Sequence, residues 1–260
     1  MPECIEVEAA RAVIDAHAVG RTISGVVAND AWYLKRGTTK AQLSAALKGA
    51  KITAARRIGK QLLVDTSTGT LGLHLGMSGR VIVDGVEAGD PLLYASNRDM
   101  PEWRRFGLRF ADSGSLWLRD PRRLGAAELD PDEDRLGPDV MSLTRAQLVA
   151  ALGSSRAPVK AVLMDQGRIA GLGNLLTDEA LWRAGIDPAR AAVSLDDDER
   201  VGLHRAIRTT LRVCTRRGGS HTGDLHDERG PNGHCPRDGA ELLRRTVGGR
   251  TTYSCPVHQR

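Results

Sequence analysis

Apolar residues recur at helical spacing across residues 5–17, where Ile5, Ala9, Val13 and Ile14 fall near one face. The pattern then changes to strand-length alternations and short apolar runs: ISGVVAND, KITAARRI, QLLVDTSTGTLGLHLGMSGRVIVDG and LRFADSGSLWLRD. Turn pairs at Thr68-Gly69, Asp84-Gly85 and Ser113-Gly114 punctuate them. The first half is therefore expected to be mainly β, a sandwich or barrel carrying an N-terminal helix. Residues 130–139 are acidic, contain proline and read as a linker. Beyond them the period is helical. Thr144 can cap a helix through Leu152, and residues 157–164, 175–184 and 196–213 fit three more. In the last of these Val201, Leu203 or His204, Ile207 and Leu211 share one side. A Gly-rich loop spans 218–234, and ELLRRTVGGRTTYSC reads as a β-hairpin turning at Gly248-Gly249.

Length and composition bound this picture without changing it. The chain has 260 residues, enough for two modest domains with separate cores. No apolar run approaches the roughly 20 residues that span a bilayer. The charged start, MPECIEVEAAR, has no apolar segment of a signal peptide, so a soluble, cytoplasmic protein is expected. The net charge of +5 suits a polyanionic partner, and its distribution is uneven. Acidic residues crowd into 128–134 and 196–199, basic ones into 104–105, 119–123, 216–217 and the C-terminal segment. Aromatic residues make up only 3%, which disfavours a single-strand binder that works by stacking bases.

Four cysteines, Cys4, Cys214, Cys235 and Cys255, are too scattered for a disulfide framework in a reducing compartment. Cys235 with Asp238, and Cys255 with His258, form two pairs of equal spacing flanking the hairpin. Zinc takes four ligands in a tetrahedron, and Asp and His can stand beside Cys as ligands. His234 is a substitute candidate; the alternative is a metal-free hairpin. A segment this short needs a staple to fold, which favours zinc.

Several blocks together resemble the formamidopyrimidine-DNA glycosylase and endonuclease VIII family. They are MPECIEVEAAR at the start, RRIGKQLL (56–63), HLGMSG (74–79), DPRRLG (120–125), RLGPD (135–139), VKAVLMDQGRIAGLGNLLTDEALWRAGIDP (159–188) and VGGRTTYSCP (247–256). The resemblance covers nearly the whole chain in the family's order. It implies an α+β, multidomain fold: a catalytic N-terminal β-sandwich over 1–128, a linker over 129–142, a helix–two-turn–helix DNA-binding domain over 143–226, and a zinc-finger β-hairpin over 227–260. It implies a bifunctional base-excision enzyme, a DNA glycosylase and abasic-site lyase, acting as a monomer on damaged double-stranded DNA in a bacterial-type cytoplasm, at the nucleoid.

The resemblance also assigns roles. Pro2, freed by removal of Met1, would be an amine nucleophile that forms a Schiff-base adduct with the sugar. An α-amino group with a pKa of about 8 is partly neutral at physiological pH. Glu3 would protonate the opening sugar ring and shuttle protons, with Glu6 supporting the site or the helix start. Lys60, Asn174 and Arg250 would grip phosphate, with Lys160 a further phosphate candidate and His74 either a contact to the DNA backbone or a residue that orients its loop. Met77, Arg122 and Leu124 match the residues that fill the gap left by a flipped base. Zinc would be held by Cys235, Asp238, Cys255 and His258. Three features depart from the family pattern: Asp238 and His258 replace Cys in the finger, Leu124 replaces Phe, and the 218–234 loop is shorter than in the branch that excises 8-oxoguanine. A ring-opened purine, an oxidised pyrimidine or an abasic site is therefore the expected substrate. The alternatives are a glycosylase for an alkylated or bulky base, and a catalytically weak lesion-binding protein.

Overall fold

The computed structural model describes residues 2–88, 96, 98 and 100–260. They form two compact units, one of Pro2 with residues 6–133, the other of residues 3–5 with 134–260.

In the first unit, α1 (Cys4–His17), from its third residue onward, precedes β1 (Ile23–Val27), α2 (Lys40–Leu47), β2 (Ile52–Ile58), β3 (Gln61–Thr66), β4 (Gly69–His74) and β5 (Arg80–Val83). Then come β6 (Val86–Glu87), β7 (Arg104–Phe110), β8 (Ser115–Arg119) and β9 (Ala126–Leu129). Among the described residues the strands form two antiparallel sheets, ordered β1-β7-β8-β5-β6 and β2-β3-β4-β9. Leu62, Val64, Leu71 and Leu73 from one sheet share a single core with Val81, Phe106, Leu108 and Leu118 from the other, completed by Val7 and Ile14 of α1. This is the expected sandwich with its N-terminal helix.

Two elements lie where the apolar pattern showed none. Helix α2 starts at a reciprocal cap: Thr39 accepts from Gln42 N, and the Gln42 side chain returns to the Thr39 backbone. Leu43 and Leu47, one turn apart, are its buried face. Strand β9 pairs Leu129 with Leu71 on β4. The following residues stay with the sheets, because Asp130 accepts from Thr70 N and Glu133 pairs with Arg56. The linker expected over 129–142 is corrected accordingly: residues 129–133 are part of the sandwich.

The second unit contains α3 (Arg145–Leu152), α4 (Val159–Met164), α5 (Asn174–Ala184), α6 (Asp197–Arg217), β10 (Leu243–Val247) and β11 (Arg250–Ser254). Thr144 and Asp196 cap α3 and α6, each in a reciprocal box with the residue three positions on. Helix α6 runs a turn past residue 213 and stops at Gly218, whose φ of 103° is the left-handed conformation that ends helices. The hairpin turns at Gly248-Gly249, both with positive φ (58° and 72°), as a two-residue turn requires. No helix among the described residues is long and apolar enough to cross a membrane.

Candidate active site and metal centre

Glu3 is buried, contrary to a solvated residue at the start of a helix. Its carboxylate accepts from the backbone N–H groups of Gly173 (2.6 Å), Leu175 (2.8 Å) and Leu176 (3.4 Å). These are the first N–H groups of α5, which an N-cap side chain normally satisfies. The cap residue is Gly173, which has no side chain, and Glu3 supplies the missing acceptor from the other end of the sequence. The fit is close: a Cβ on Gly173 would lie 2.4 Å from Cδ of Glu3. An anion at this position is also favoured by the helix dipole. Pro2, the preceding residue, is buried in the first unit, and Met1 lies outside the described residues. Glu6 sits in the first turn of α1, where an acidic residue suits the helix start.

Asn174 is the first residue of α5. Its Nδ2 donates to Thr251 O on β11 (3.0 Å), leaving a second amide hydrogen. That bond brings Asn174 beside the hairpin end that carries exposed Arg250. Lys160 does not join them as a phosphate ligand, and that expectation is corrected. Its side chain is fully buried, paired to Asp178 at 2.6 Å and donating to Thr252 Oγ1 at 2.7 Å. Burial pulls its ammonium below the usual lysine range, and Asp178 opposes that shift. Asp178 also receives Arg229 and the backbone N–H of Tyr253. Lys160 is thus an internal strut from α4 to α5 and β11.

In the first unit, Gly59 (φ 59°) and Lys60 form the two-residue turn between β2 and β3. The register sets Gln61 opposite His74, so Lys60 and His74 meet at one end of the sheet. His74 Nδ1 accepts from Gly76 N (3.0 Å), which leaves Nε2 as the protonated nitrogen of the neutral ring. Burial holds the His74 pKa below the usual histidine value; the Lys60 charge adds to this and Asp120 opposes it. Folded His74 therefore resists protonation more than unfolded His74 does. Its contribution to stability is present above about pH 6.5 and is lost as pH falls through the folded value. Urea midpoints of wild type and His74→Gln, compared between about pH 7.5 and 5, are expected to converge as the pH drops.

Met77, Arg122 and Leu124 are exposed, Met77 by 36% and Leu124 by 50%, so neither apolar side chain is core. They sit on two loops, β4–β5 and β8–β9, held together by one buried carboxylate. Asp120 accepts from Ser78 Oγ (2.5 Å) on the first loop and from the N–H groups of Arg122 (3.2 Å), Leu124 (2.8 Å) and Gly125 (2.7 Å) on the second. Tyr33, whose phenol burial keeps protonated, donates to the same carboxylate. The loops touch backbone to backbone at Gly76, where a Cβ would lie 2.4 Å from the Leu124 carbonyl carbon. Arg123 takes a positive φ of 59° and is clamped by both oxygens of Asp30. Sequence reasoning missed Asp120, Ser78 and Asp30. The DPRRLG block contains Asp120, but nothing local says that it reaches across to Ser78.

Cys235, Asp238, Cys255 and His258 offer ligand atoms that all lie within 4.8 Å of one another. His258 Nε2 is 3.1 Å from Trp182 O, which directs Nδ1 inward, where it meets Asp238 at 2.8 Å. Trp182 Nε1 donates to Cys235 Sγ at 3.3 Å. Two thiols, an imidazole oriented by a backbone carbonyl, and a carboxylate make a donor set that suits zinc. His234 is outside the cluster; its N–H donates to Glu228, and it bridges to Glu241.

The 218–234 loop is fastened to α5. Glu179 accepts from the N–H groups of Asp224 (3.0 Å) and Leu225 (2.9 Å), and Arg183 and Arg217 both grip Asp224.

Residues 1–127 match the family model for the formamidopyrimidine-DNA glycosylase N-terminal domain, and residues 136–225 that for the formamidopyrimidine-DNA glycosylase H2TH domain. Similar curated proteins include the formamidopyrimidine-DNA glycosylases of Paracoccus denitrificans, 33% identical, and Acidithiobacillus ferrooxidans, 34% identical, each matched over 100% of both chains. Similar solved structures include the Lactococcus lactis protein in complex with DNA containing an abasic site, 28% identical with a TM-score of 0.82, again over 100% of both chains. The same protein with DNA containing an oxidised pyrimidine aligns over 100% of both chains at 29% identity, with a TM-score of 0.82.

Proposed function

This chain belongs to the formamidopyrimidine-DNA glycosylase family, and from that premise we propose that it is a base-excision DNA glycosylase and abasic-site lyase acting on ring-opened or oxidised bases in duplex DNA. The observation that carries the reading is the seating of Glu3 against the start of α5, next in the chain to Pro2. A side chain this firmly held is positioned for one task, as proton transfer requires. Once Met1 is removed, the Pro2 amine attacks C1′ of the damaged nucleoside and the base leaves. The iminium adduct acidifies C2′, and elimination of the 3′ phosphate cuts the strand. Glu3 delivers the proton that opens the sugar ring.

Lys60 and His74 in one unit, and Asn174 and Arg250 in the other, bind phosphates. Each offers N–H donors at the end of a strand or helix. Met77, Arg122 and Leu124 fill the gap left by the flipped nucleotide: Leu124 as wedge, Arg122 as donor to the orphaned base, Met77 as adaptable filler. Asp120 acts through them as a positioning residue. The short 218–234 loop, tied to α5 through Glu179, supports a preference for ring-opened purines and oxidised pyrimidines over 8-oxoguanine, which calls for a long covering loop.

Borohydride reduction tests the reading. Wild-type protein incubated with a lesion-containing duplex is expected to give a covalent protein–DNA adduct and a nicked strand. Neither product across a panel of lesions would leave the lesion-binding alternative standing. Zinc held by Cys235, Asp238, Cys255 and His258 supplies cross-linking and no chemistry. Elemental analysis is expected to find about one zinc per chain, and a strong chelator is expected to lower the melting temperature and duplex affinity together. A protein that melts identically with and without chelator would mean a metal-free hairpin.

A further inference from the structure

Helix α6 carries exposed Arg205, Arg208, Arg212 and Arg216 at spacings of three or four residues, hence on one face. Like charges at that spacing repel and weaken a helix. Other arginines of the same helix are neutralised, Arg200 by Asp197 and Arg217 by Asp224. None of these four has an ion-pair or hydrogen-bond partner among the described residues. Three of them, Arg208, Arg212 and Arg216, rim a groove of about 350 Å³ together with Met141, Leu211 and Thr215. Met141, 38% exposed, contributes an apolar side chain to the lining of this cationic groove.

We propose that this groove binds a partner protein through a segment in which acidic residues flank one apolar side chain. The guanidiniums supply charge complementarity over two helical turns, and the groove is of a size that takes a side chain. Met141 adapts to an apolar anchor, a use for which methionine is suited. A nucleic-acid backbone would satisfy the arginines but would leave Met141 facing phosphate. No residue of the groove belongs to the set proposed above to contact the lesion duplex, so the two functions are separable.

Titration of the full-length protein with a fluorescent peptide of aspartates around a single phenylalanine tests this. Binding is expected, weakening with salt. Arg212→Glu is expected to reduce it by about tenfold or more, and Met141→Ser and replacement of the phenylalanine by serine are each expected to reduce it. Arg212→Glu relieves repulsion on an exposed face, so its melting temperature should not fall below that of wild type, and its borohydride adduct with a lesion duplex should match wild type. Failure of that adduct in wild type would sink the glycosylase reading and leave this one intact. Absence of peptide binding overturns the proposal, as does binding indifferent to both variants. Loss of undamaged-duplex affinity in Arg212→Glu, without peptide binding, assigns the ridge to phosphate and overturns it equally.

Discussion

Glu3→Gln is expected to lower excision of a damaged base by about 10²- to 10⁴-fold, the usual worth of a positioned proton-transfer group. The expectation rests on chemistry and on seating. The carboxylate offers two oxygens to three N–H donors at the start of α5. An amide offers one oxygen and turns an N–H₂ toward the remaining donors, so part of α5's cap is lost as well. A lost cap costs about 1 kcal/mol, far less than the catalytic effect, and denaturation measures it independently. Gly173→Ala separates the two causes. It keeps the carboxylate but drives a methyl group to 2.4 Å from Glu3 Cδ, so Glu3 must move. Single-turnover excision should fall in both variants, with the Pro2 adduct on a preformed abasic site retained better than base release. A Gly173→Ala enzyme with wild-type rates would show that the position of Glu3 is unimportant.

Asp178→Asn is expected to destabilise the protein by about 3–5 kcal/mol, the cost of leaving a buried charge without its partner. Lys160 and Asp178 are both fully buried, and Arg229 leans on the same carboxylate. Lys160→Met should cost less, because Arg229 remains to neutralise Asp178. The double variant should cost less than the sum of the two, as groups in one network do not add. Urea denaturation of the four proteins gives the comparison; additive costs would mean that the pair is not coupled. Duplex affinity should fall in Asp178→Asn as well, since Tyr253 N and, through Lys160, Thr252 anchor the strand that presents Arg250.

The parts that were legible in the sequence are those with a local signature. Gly248-Gly249 marks a tight hairpin, and Thr144 as a cap announces α3, where Gln147 completes the reciprocal box. The same signature at Thr39 and Gln42 announces α2, and an apolar count alone passes over it because only Leu43 and Leu47 are buried. Leu124 and Met77 look like core residues in any hydropathy reading; their exposure follows from Asp120 tying two loops together through space. Lys160 reads as a phosphate ligand because its partner stands eighteen positions later on another helix. The cap on α5 was hidden most completely. A glycine at the cap position gives no sign that an acceptor exists, and Glu3 lies 172 positions before the N–H it receives from Leu175.

That remote cap bears on how such a chain can be divided or recombined. Cutting the gene at the boundary between residues 133 and 134 would yield a helical half whose α5 lacks the acceptor it was built around, since residues 3–5 belong to that half. The helical unit is therefore not a cassette that can be lifted out and grafted elsewhere as a ready DNA-binding module. Any fusion, truncation or swap must carry the first few residues with it. The two halves are bound to be inherited together by the same residue that is proposed to move the proton.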